Sequence, residues 1–203
     1  GQLYLSRYFA FEQQIADWLQ RASLCPSLPV QEARLEQQLQ QLFPPQTEID
    51  WQAIAAATAA DGRFTLISGG PGTGKTTTVT KLLALLVAQS EQPLLIRLAA
   101  PTGKAAARLT ESIGGAKQKL SGSIPADWLA GIPGEASTLH RLLGVIPGQP
   151  TFRHHAQNPL PLDVLVVDEA SMIDLPMMAR LLAALSEQAR LILLGDKDQL
   201  ASV

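Results

Sequence analysis

The chain has 203 residues, of which 46% are hydrophobic and 17% charged, and its formal net charge is −2. This composition excludes a disordered chain, and the slight excess of acid excludes nucleic-acid binding through overall charge, so any such contact needs a local basic patch. The single cysteine, Cys25, excludes an internal disulfide and a cysteine zinc cluster, and we interpret it as a small buried apolar residue.

Two helices are predicted at the N-terminal end of the chain. Apolar residues recur at helical spacing in 6–22 and again in 29–43, and the pair Pro44-Pro45 ends the second pattern. An apolar stripe on such a helix either packs into a core or forms a docking face for a partner protein. We therefore predict a helical N-terminal segment over 1–46 and keep both roles open for its apolar stripes.

From residue 47 onward, helices alternate with short apolar strands. The first helix is predicted to be capped by Thr47 and to end before Gly62. Strands are predicted over 63–68, 93–100, 163–168 and 189–195, and helices over 75–89, 104–113 and 176–185. Continuous apolar strands separated by helices indicate a parallel sheet covered on both faces, and hence an α/β fold. Two stretches rich in glycine, serine or proline, 112–136 and 145–163, are predicted to leave the sheet.

A phosphate-binding loop is predicted between the first strand and the helix that follows it. The segment LISGGPGTGKTTT contains the pattern G-x-x-x-x-G-K-T in the strand-to-helix context that this motif requires. Its backbone N–H groups would surround a phosphate, Lys75 would reach the β and γ phosphates, and the Thr76 hydroxyl would hold Mg²⁺. The predicted nucleotide-binding residues of this loop are Gly69, Gly70, Pro71, Gly72, Thr73, Gly74, Lys75, Thr76 and Thr77.

Two acidic residues follow the strand in VLVVDEAS. Asp168 is predicted to hold Mg²⁺ at the carboxyl end of that strand, and Glu169 to act as general base on an attacking water. A phosphate loop with two carboxylates predicts hydrolysis of a nucleoside triphosphate and not binding alone. The strand LILLG is expected to lie between the strands that lead to Lys75 and Asp168, which would let Gln199 sense the γ-phosphate.

Five segments, in this order, resemble motifs I, Ia, Ib, II and III of superfamily 1 helicases: GGPGTGKTTT, APTGKAAARL, STLHRLLG, VVDEASMID and LLGDKDQLASV. The sequences of these segments are similar to those of the RecD family, the alpha subunits of exodeoxyribonuclease V. The matching segments are closely spaced over residues 47–203. The resemblance implies a RecA-like first motor domain that uses ATP and Mg²⁺ and moves 5′ to 3′ along single-stranded DNA. It also implies a role in double-strand-break repair and recombination, with RecB and RecC as partner subunits.

The resemblance implies roles for further residues. Gln52 would read the adenine edge, unless it is an ordinary surface glutamine. The residues implied to contact DNA in the second and third motifs are Thr102, Gly103, Lys104, Arg108, Thr138 and His140, although a lone histidine is often structural. Between motifs Ib and II this branch carries a small β-hairpin, the pin, that splits the duplex. Phe152 and Arg153, followed by His154 and His155, suit the tip of such a pin within 145–163, with an ordinary loop as the alternative.

Three functions are consistent with these residues: an ATP-driven DNA motor, a regulatory module whose nucleotide site gates partner docking, and a related stand-alone superfamily 1 helicase or relaxase-helicase. Glu169 favours a motor, because a switch needs no general base. The chain starts at Gly1 and ends four residues after Gln199. We therefore expect a truncated first motor domain, nearly inactive by itself because the arginine finger comes from a second domain. No apolar run is long enough to span a membrane, so we expect a cytoplasmic protein.

Overall fold

The computed structural model describes residues 6–24, 32–45, 47–70, 74–149 and 151–196. Its helices are α1 (Ser6–Leu24), α2 (Glu32–Leu42), α3 (Trp51–Asp61), α4 (Lys75–Gln89), α5 (Gly103–Leu120), α6 (Ala126–Ala130), α7 (Leu139–Leu143) and α8 (Leu175–Ala183). Its strands are β1 (Phe64–Ser68), β2 (Ile96–Ala100), β3 (Ala136–Thr138), β4 (Val164–Val167) and β5 (Arg190–Gly195). A short 3-10 turn covers Ala170–Met172. Cys25, Pro71, Gly72, Thr73 and Gln199, for which the sequence predicts roles, lie outside the described residues.

The strands form one parallel sheet in the order β1-β5-β4-β2-β3. β5 lies between β1 and β4, with Leu191 paired to Phe64 on one side and to Leu165 on the other. The predicted α/β fold and the predicted place of the strand LILLG are therefore both confirmed.

Buried side chains cover both faces of the sheet. On β4, Val164 and Val166 pack into one core cluster, whereas Leu165 and Val167 pack into a second cluster on the opposite face. The first cluster also takes in apolar residues of α4 and α5, and the second those of α7 and α8. Since successive side chains of a strand point to opposite faces, a continuous apolar strand is what this burial on both sides requires.

The two N-terminal helices pack on this sheet domain from opposite sides. Trp18 of α1 contacts the Phe64 ring edge-to-face at 5.7 Å and packs into the second cluster. Leu42 of α2 is buried in the first cluster, and Arg34 donates a 2.7 Å hydrogen bond to the Ala88 carbonyl in the last turn of α4. The apolar stripes of both helices therefore contribute to the core, and docking of a partner on 1–46 stays a prediction.

Three sequence-based expectations about local structure are wrong. The cap of α3 is Asp50 and not Thr47, because the Asp50 carboxylate accepts hydrogen bonds from the backbone N–H groups of Gln52 and Ala53 at 2.9 and 3.1 Å. Helix α5 runs to Leu120 through two glycines, since the burial of Ala116 and Leu120 outweighs the cost of about 1 kcal/mol for each glycine. Strand β3 was missed because its three residues, AST, carry no apolar run.

The segment 145–163 is anchored to the domain, and its role as a pin stays a prediction, but Phe152 does not lie where the sequence suggested. Val145 and Phe152 form a single antiparallel bridge, so Phe152 stands at the base of the short loop between them and not at a tip. Its ring packs against the second core cluster, and Leu160 is buried, with its N–H donating to the Ala184 carbonyl at 2.8 Å. Placing Phe152 at a hairpin tip was wrong because an apolar ring is more stable packed against the core than exposed.

Among the described residues, α1–α8 include no helix with both the length and the apolar character needed to cross a membrane.

Candidate functional site

The carboxyl ends of all five strands meet at one edge of the sheet, because every described strand pair is parallel. Ser68 at the end of β1 is paired with Gly195 at the end of β5, and Val167 at the end of β4 is paired with Leu193 of β5. Ala100 at the end of β2 is paired with Thr138. The fold thus brings the residues that follow β1, β5, β4 and β2 to the same edge, where ligands of open α/β sheets bind.

The described part of the phosphate-loop motif begins directly after β1. The Gly69 N–H donates to the Gly195 carbonyl at 3.2 Å, which ties the start of the loop to β5. Gly74 has φ +82° and precedes the first residue of α4. The Lys75 ammonium group donates hydrogen bonds to the carbonyl of Gly69 and, at 3.1 Å, to that of Gly70. The side chain therefore turns back over the loop, which places its positive charge there.

The threonines at the start of α4 differ in their hydrogen bonds. The hydroxyl groups of Thr78 and Thr80 donate to the carbonyls of Gly74 and Thr76, at 3.1 and 2.8 Å. No described residue forms a hydrogen bond with the hydroxyl groups of Thr76 or Thr77, which are half-buried in the first turn. Within the described part of the chain, these two predicted ligand residues therefore have unengaged hydroxyl groups at the positively polarised end of a helix.

Gln52 lies beside the end of the phosphate loop. The Asp50 cap starts α3 so that Gln52 falls in its first turn. A Cβ atom built on Gly74 would stand 3.0 Å from Gln52 Nε2, so the amide lies close against the end of the loop. The structure therefore brings this predicted base-reading residue to the phosphate-loop motif.

The acidic pair follows β4 with a constrained backbone. Asp168 N–H donates to the Ala99 carbonyl at 2.9 Å, and one Asp168 carboxylate oxygen accepts a 2.8 Å bond from Glu169 N–H. Among the described non-glycine residues, Glu169 is the one with a positive φ, at 51°. This left-handed conformation costs roughly 1 kcal/mol or more, and such strain clusters at functional sites.

The carboxylate of Asp196 also lies at this edge, although the sequence analysis did not predict it as a site residue. Asp196 follows β5 and is only 6% exposed. Since β5 lies between β1 and β4, its carboxyl end lies between the phosphate loop and the acidic pair. The pattern that could have identified Asp196 is a carboxylate directly after a fully apolar strand, which is the same pattern that identified Asp168.

The predicted DNA-contacting threonines cap helices at adjacent strand ends. The Thr102 hydroxyl oxygen accepts a 3.2 Å bond from Ala105 N–H, and that of Thr138 accepts one of the same length from Arg141 N–H. Gly103, Lys104 and Arg108 are exposed at the start of α5, with open space around Gly103. These residues form one exposed edge beyond β2 and β3.

The remaining predicted contacts lie beside α7 and α8. The exposed His140 ring is 5.8 Å from the Phe152 ring, and the Arg180 guanidinium lies over the same ring at 5.5 Å from its centroid. Arg153 follows, with its side chain lying across Gly144. The structure thus joins His140 to the segment 145–163, through contacts that the sequence did not predict.

Comparisons with known proteins agree with this arrangement. A family model described as an AAA domain matches residues 52–203. The RecBCD enzyme subunit RecD of Haemophilus influenzae is 48% identical over 211 residues, which cover 100% of this chain and 32% of that protein. The ATP-dependent RecD2 DNA helicase of Deinococcus radiodurans is 43% identical over 152 residues, which cover 75% of this chain and 18% of that protein. This chain therefore spans a third or less of the length of these relatives.

A solved structure shares the fold. The crystal structure of T4 UvsW matches with a TM-score of 0.55 and 12% identity, covering 92% of this chain and 40% of that chain. The likeness concerns the fold alone and agrees with the RecA-like sheet described above. The match of the family model over residues 52–203, together with the identity to RecD subunits, shows that this chain belongs to the AAA domain family and has a RecD-like sequence.

Proposed function

We propose that this chain is a motor domain of an ATP-dependent DNA helicase subunit of the RecD type. In this proposal the intact protein moves 5′ to 3′ along single-stranded DNA during double-strand-break repair and recombination. One observation carries the proposal: β1, β5 and β4 are neighbouring parallel strands, so the phosphate loop, Asp196 and the pair Asp168-Glu169 follow adjacent strand ends. A phosphate-binding loop and carboxylates at one edge are the parts that nucleoside triphosphate hydrolysis needs.

The described residues suit ATP and Mg²⁺. Lys75 would neutralise charge on the β and γ phosphates, and the unengaged Thr76 hydroxyl, with Asp168, would hold the metal ion. Mg²⁺ would supply charge that stabilises the transferring phosphoryl group. Gln52, whose amide lies against Gly74, would read the adenine. Each of these roles uses a side chain at the sheet edge described above.

Glu169 is proposed to accept the proton of the attacking water. Its left-handed backbone stands two residues after the end of β4 at Val167, and its N–H donates a hydrogen bond to the carboxylate of the intervening Asp168. The strained backbone is typical of a functional site, and a general base at this position favours a motor over a regulatory module, because a module that only binds nucleotide needs no base.

Hydrolysis would act on DNA through the exposed edge beyond β2 and β3. Thr102 and Thr138 cap neighbouring helices there, and Lys104 and Arg108 add positive charge. Backbone N–H groups at helix starts and nearby cations favour phosphate oxygens. Because relatives of this chain are named RecBCD enzyme subunits, we propose RecB and RecC as partners of the intact protein.

The test is ATP hydrolysis by the intact protein with and without single-stranded DNA. Lys75→Ala is expected to weaken binding of a fluorescent ATP analogue by roughly tenfold or more, because it removes a charged hydrogen-bond donor. Glu169→Gln is expected to keep that binding and to lose hydrolysis by about 10²-fold or more. Lys119→Ala, an exposed lysine in the last turn of α5, serves as the control.

Two results would overturn the proposal. Equal nucleotide affinity in Lys75→Ala and the parent would remove the assignment of the phosphate loop. Hydrolysis that single-stranded DNA does not stimulate in the intact protein would favour the regulatory module over the motor.

A further inference from the structure

A groove of about 620 Å³ lies between the segment 145–163 and α8, and none of the described phosphate-loop residues lines it. Its lining includes Gln149, Phe152, Arg153, His154, His155 and Arg180. None of the described residues that line it is acidic. In a chain with a net charge of −2, a groove that carries two arginines and two histidines without a carboxylate is a local exception. We call it the Arg153–Arg180 groove.

Arg180 is held in this groove by an aromatic ring. Its guanidinium carbon is 5.5 Å from the centroid of the Phe152 ring, and that ring is in an edge-to-face contact with the His140 ring. No described residue accepts a hydrogen bond from the Arg180 guanidinium or pairs with it as a carboxylate. A cation–π contact occupies one face of a guanidinium group and leaves its in-plane N–H donors for a further acceptor. Arg180 is exposed, so those donors are accessible.

Arg153 is fixed by its backbone and by Gly144. Its N–H donates to the Gly144 carbonyl at 2.8 Å, and its own carbonyl accepts a 2.8 Å bond from Asn158 Nδ2. A Cβ atom on Gly144, whose φ is +76°, would stand 2.9 Å from Arg153 Cβ, so glycine is required for this close approach. Among the described residues, the Arg153 guanidinium also has no hydrogen-bond acceptor or carboxylate partner. The backbone thus presents a second accessible guanidinium group beside the groove.

The histidines of the groove belong to a closed turn. His155 and Asn158 exchange backbone hydrogen bonds of 3.1 and 2.9 Å, and His154 N–H donates to the Leu143 carbonyl at 2.9 Å. The His155 ring nitrogen Nδ1 is 2.9 Å from Gln157 Oε1. Because these contacts order the turn in the free chain, binding of a ligand would not carry the entropic cost of ordering it.

We propose that the Arg153–Arg180 groove binds the phosphodiester backbone of single-stranded DNA, as a continuation of the strand path beyond Thr138 and His140. The inference rests on the proposed function and adds a subsite to it. The contact between His140 and Phe152 makes the groove continuous with the exposed edge beyond β2 and β3. Guanidinium groups bind phosphate oxygens with paired hydrogen bonds, and the absence of acid from the described lining removes repulsion. Because Arg180 lies over the Phe152 ring, the segment 145–163 contributes cations to the groove and not a ring on which a base stacks.

The experiment measures binding of a fluorescein-labelled oligo-dT to the intact protein by anisotropy, as a function of chloride concentration. Each lost phosphate contact on a single strand lowers the slope of log affinity against log salt by about 0.7. We expect Arg180→Ala and Arg153→Ala each to reduce the slope by about that amount, and the double variant by about twice as much. Arg180→Lys, which keeps the charge, should keep most of the slope, and Lys119→Ala should leave it unchanged.

A second measurement keeps the test independent of stability. A photo-crosslinking residue at Gln149 is expected to attach to the oligonucleotide, whereas the same residue at Lys119 is not. Unchanged binding of a fluorescent ATP analogue in every variant would establish that the fold is intact. Inorganic phosphate, compared with chloride at equal ionic strength, distinguishes a strand from a free anion: strong selective displacement of the DNA by phosphate would overturn the DNA assignment in favour of a free-phosphate site.

The failures of the two proposals are distinguishable. If the parent binds DNA and hydrolyses ATP in response to it, but the double arginine variant keeps the full salt slope, the groove proposal is refuted and the proposed function stands. If the parent neither binds DNA nor responds to it, both proposals are refuted together.

Discussion

The side-chain amide of Gln52 lies against Gly74: a Cβ atom on Gly74 would be 3.0 Å from Gln52 Nε2. Gly74 also has φ +82°, a conformation that L-residues with side chains rarely adopt. The positive φ therefore favours glycine at the start of α4, and a larger residue would in addition have to displace the Gln52 amide by a few tenths of an ångström. The contact couples α3, which carries Gln52, to the loop that we propose binds the phosphates.

The first prediction concerns Gly74→Ala. The left-handed backbone should cost about 1–2 kcal/mol, and the new methyl group should also displace the Gln52 amide. We expect lower thermal stability and weaker binding of a fluorescent ATP analogue. The matched control is Gly114→Ala in the middle of α5, where nothing lies within 4 Å of a built Cβ and helix propensity should add about 0.5–1 kcal/mol of stability.

A double variant separates the two constraints at Gly74. Gln52→Ala with Gly74→Ala should relieve the steric conflict but not the backbone strain, so stability should recover only in part. Full recovery would mean that the positive φ of Gly74 contributes little to the cost.

The second prediction concerns the choice of base. The Gln52 amide offers one donor and one acceptor, which match N7 and the N6 amino group of adenine, whereas guanine presents two acceptors, N7 and O6, at the same edge. Gln52→Ala should therefore lower the preference for ATP over GTP, by about 5- to 150-fold if hydrogen bonds worth about 1–3 kcal/mol are lost. Competition of ATP and GTP against a fluorescent analogue measures this preference, with Gln118→Ala on the exposed face of α5 as control. An unaltered ATP/GTP ratio would place the adenine contact elsewhere.

The third prediction concerns Arg190, which joins β5 to the end of α3. Its guanidinium donates hydrogen bonds to the carbonyls of Ala59 and Ala60, at 3.4 and 2.5 Å. Burial lowers the pKa of Arg190 below its ordinary value, and the nearby Arg63 charge lowers it further. Arg190→Leu should leave carbonyls of the last helical turn without a donor and destabilise the chain by about 1–3 kcal/mol.

Urea unfolding measures this loss for Arg190→Leu. The control is Arg21→Leu, an exposed arginine in the last turn of α1, which should change the free energy of unfolding by less than about 0.5 kcal/mol. Similar effects of the two substitutions would show that the helix-end contact of Arg190 is not stabilising.

The fourth prediction compares the 203-residue chain with the intact protein. Arg190 begins β5 and so lies at the sheet edge opposite the phosphate loop, while Arg180 is held over Phe152. Neither is placed to stabilise the transferring phosphoryl group. If an arginine finger comes from a second domain, as expected from the resemblance to helicase motor domains, the chain should bind Mg²⁺-ATP but hydrolyse it about 10³–10⁵-fold more slowly than the intact protein. DNA-stimulated turnover or unwinding by the chain alone, at the rate of the intact protein, would contradict the proposal.

Local patterns in the sequence determined the phosphate-loop motif, the DEAS motif and most of the sheet. Lys75–Gln89 was predicted with the bounds that the structure has, and β4 and β5 were predicted within a residue of theirs. These elements could be predicted because a continuous apolar run favours a buried strand and a glycine-rich turn favours a phosphate loop. Both preferences come from local sequence and do not depend on distant residues.

Only the tertiary structure decided the features that depend on contacts between distant parts of the chain. Helix α5 continues through Gly114 and Gly115 because Ala116 and Leu120 are buried in the core. Strand β3 forms because it pairs with β2. Phe152 lies at the base of its loop because the second core cluster and Arg180 receive its ring. Burial and cation–π contacts act between residues far apart in sequence, so no local pattern of glycine, proline or charge could predict them.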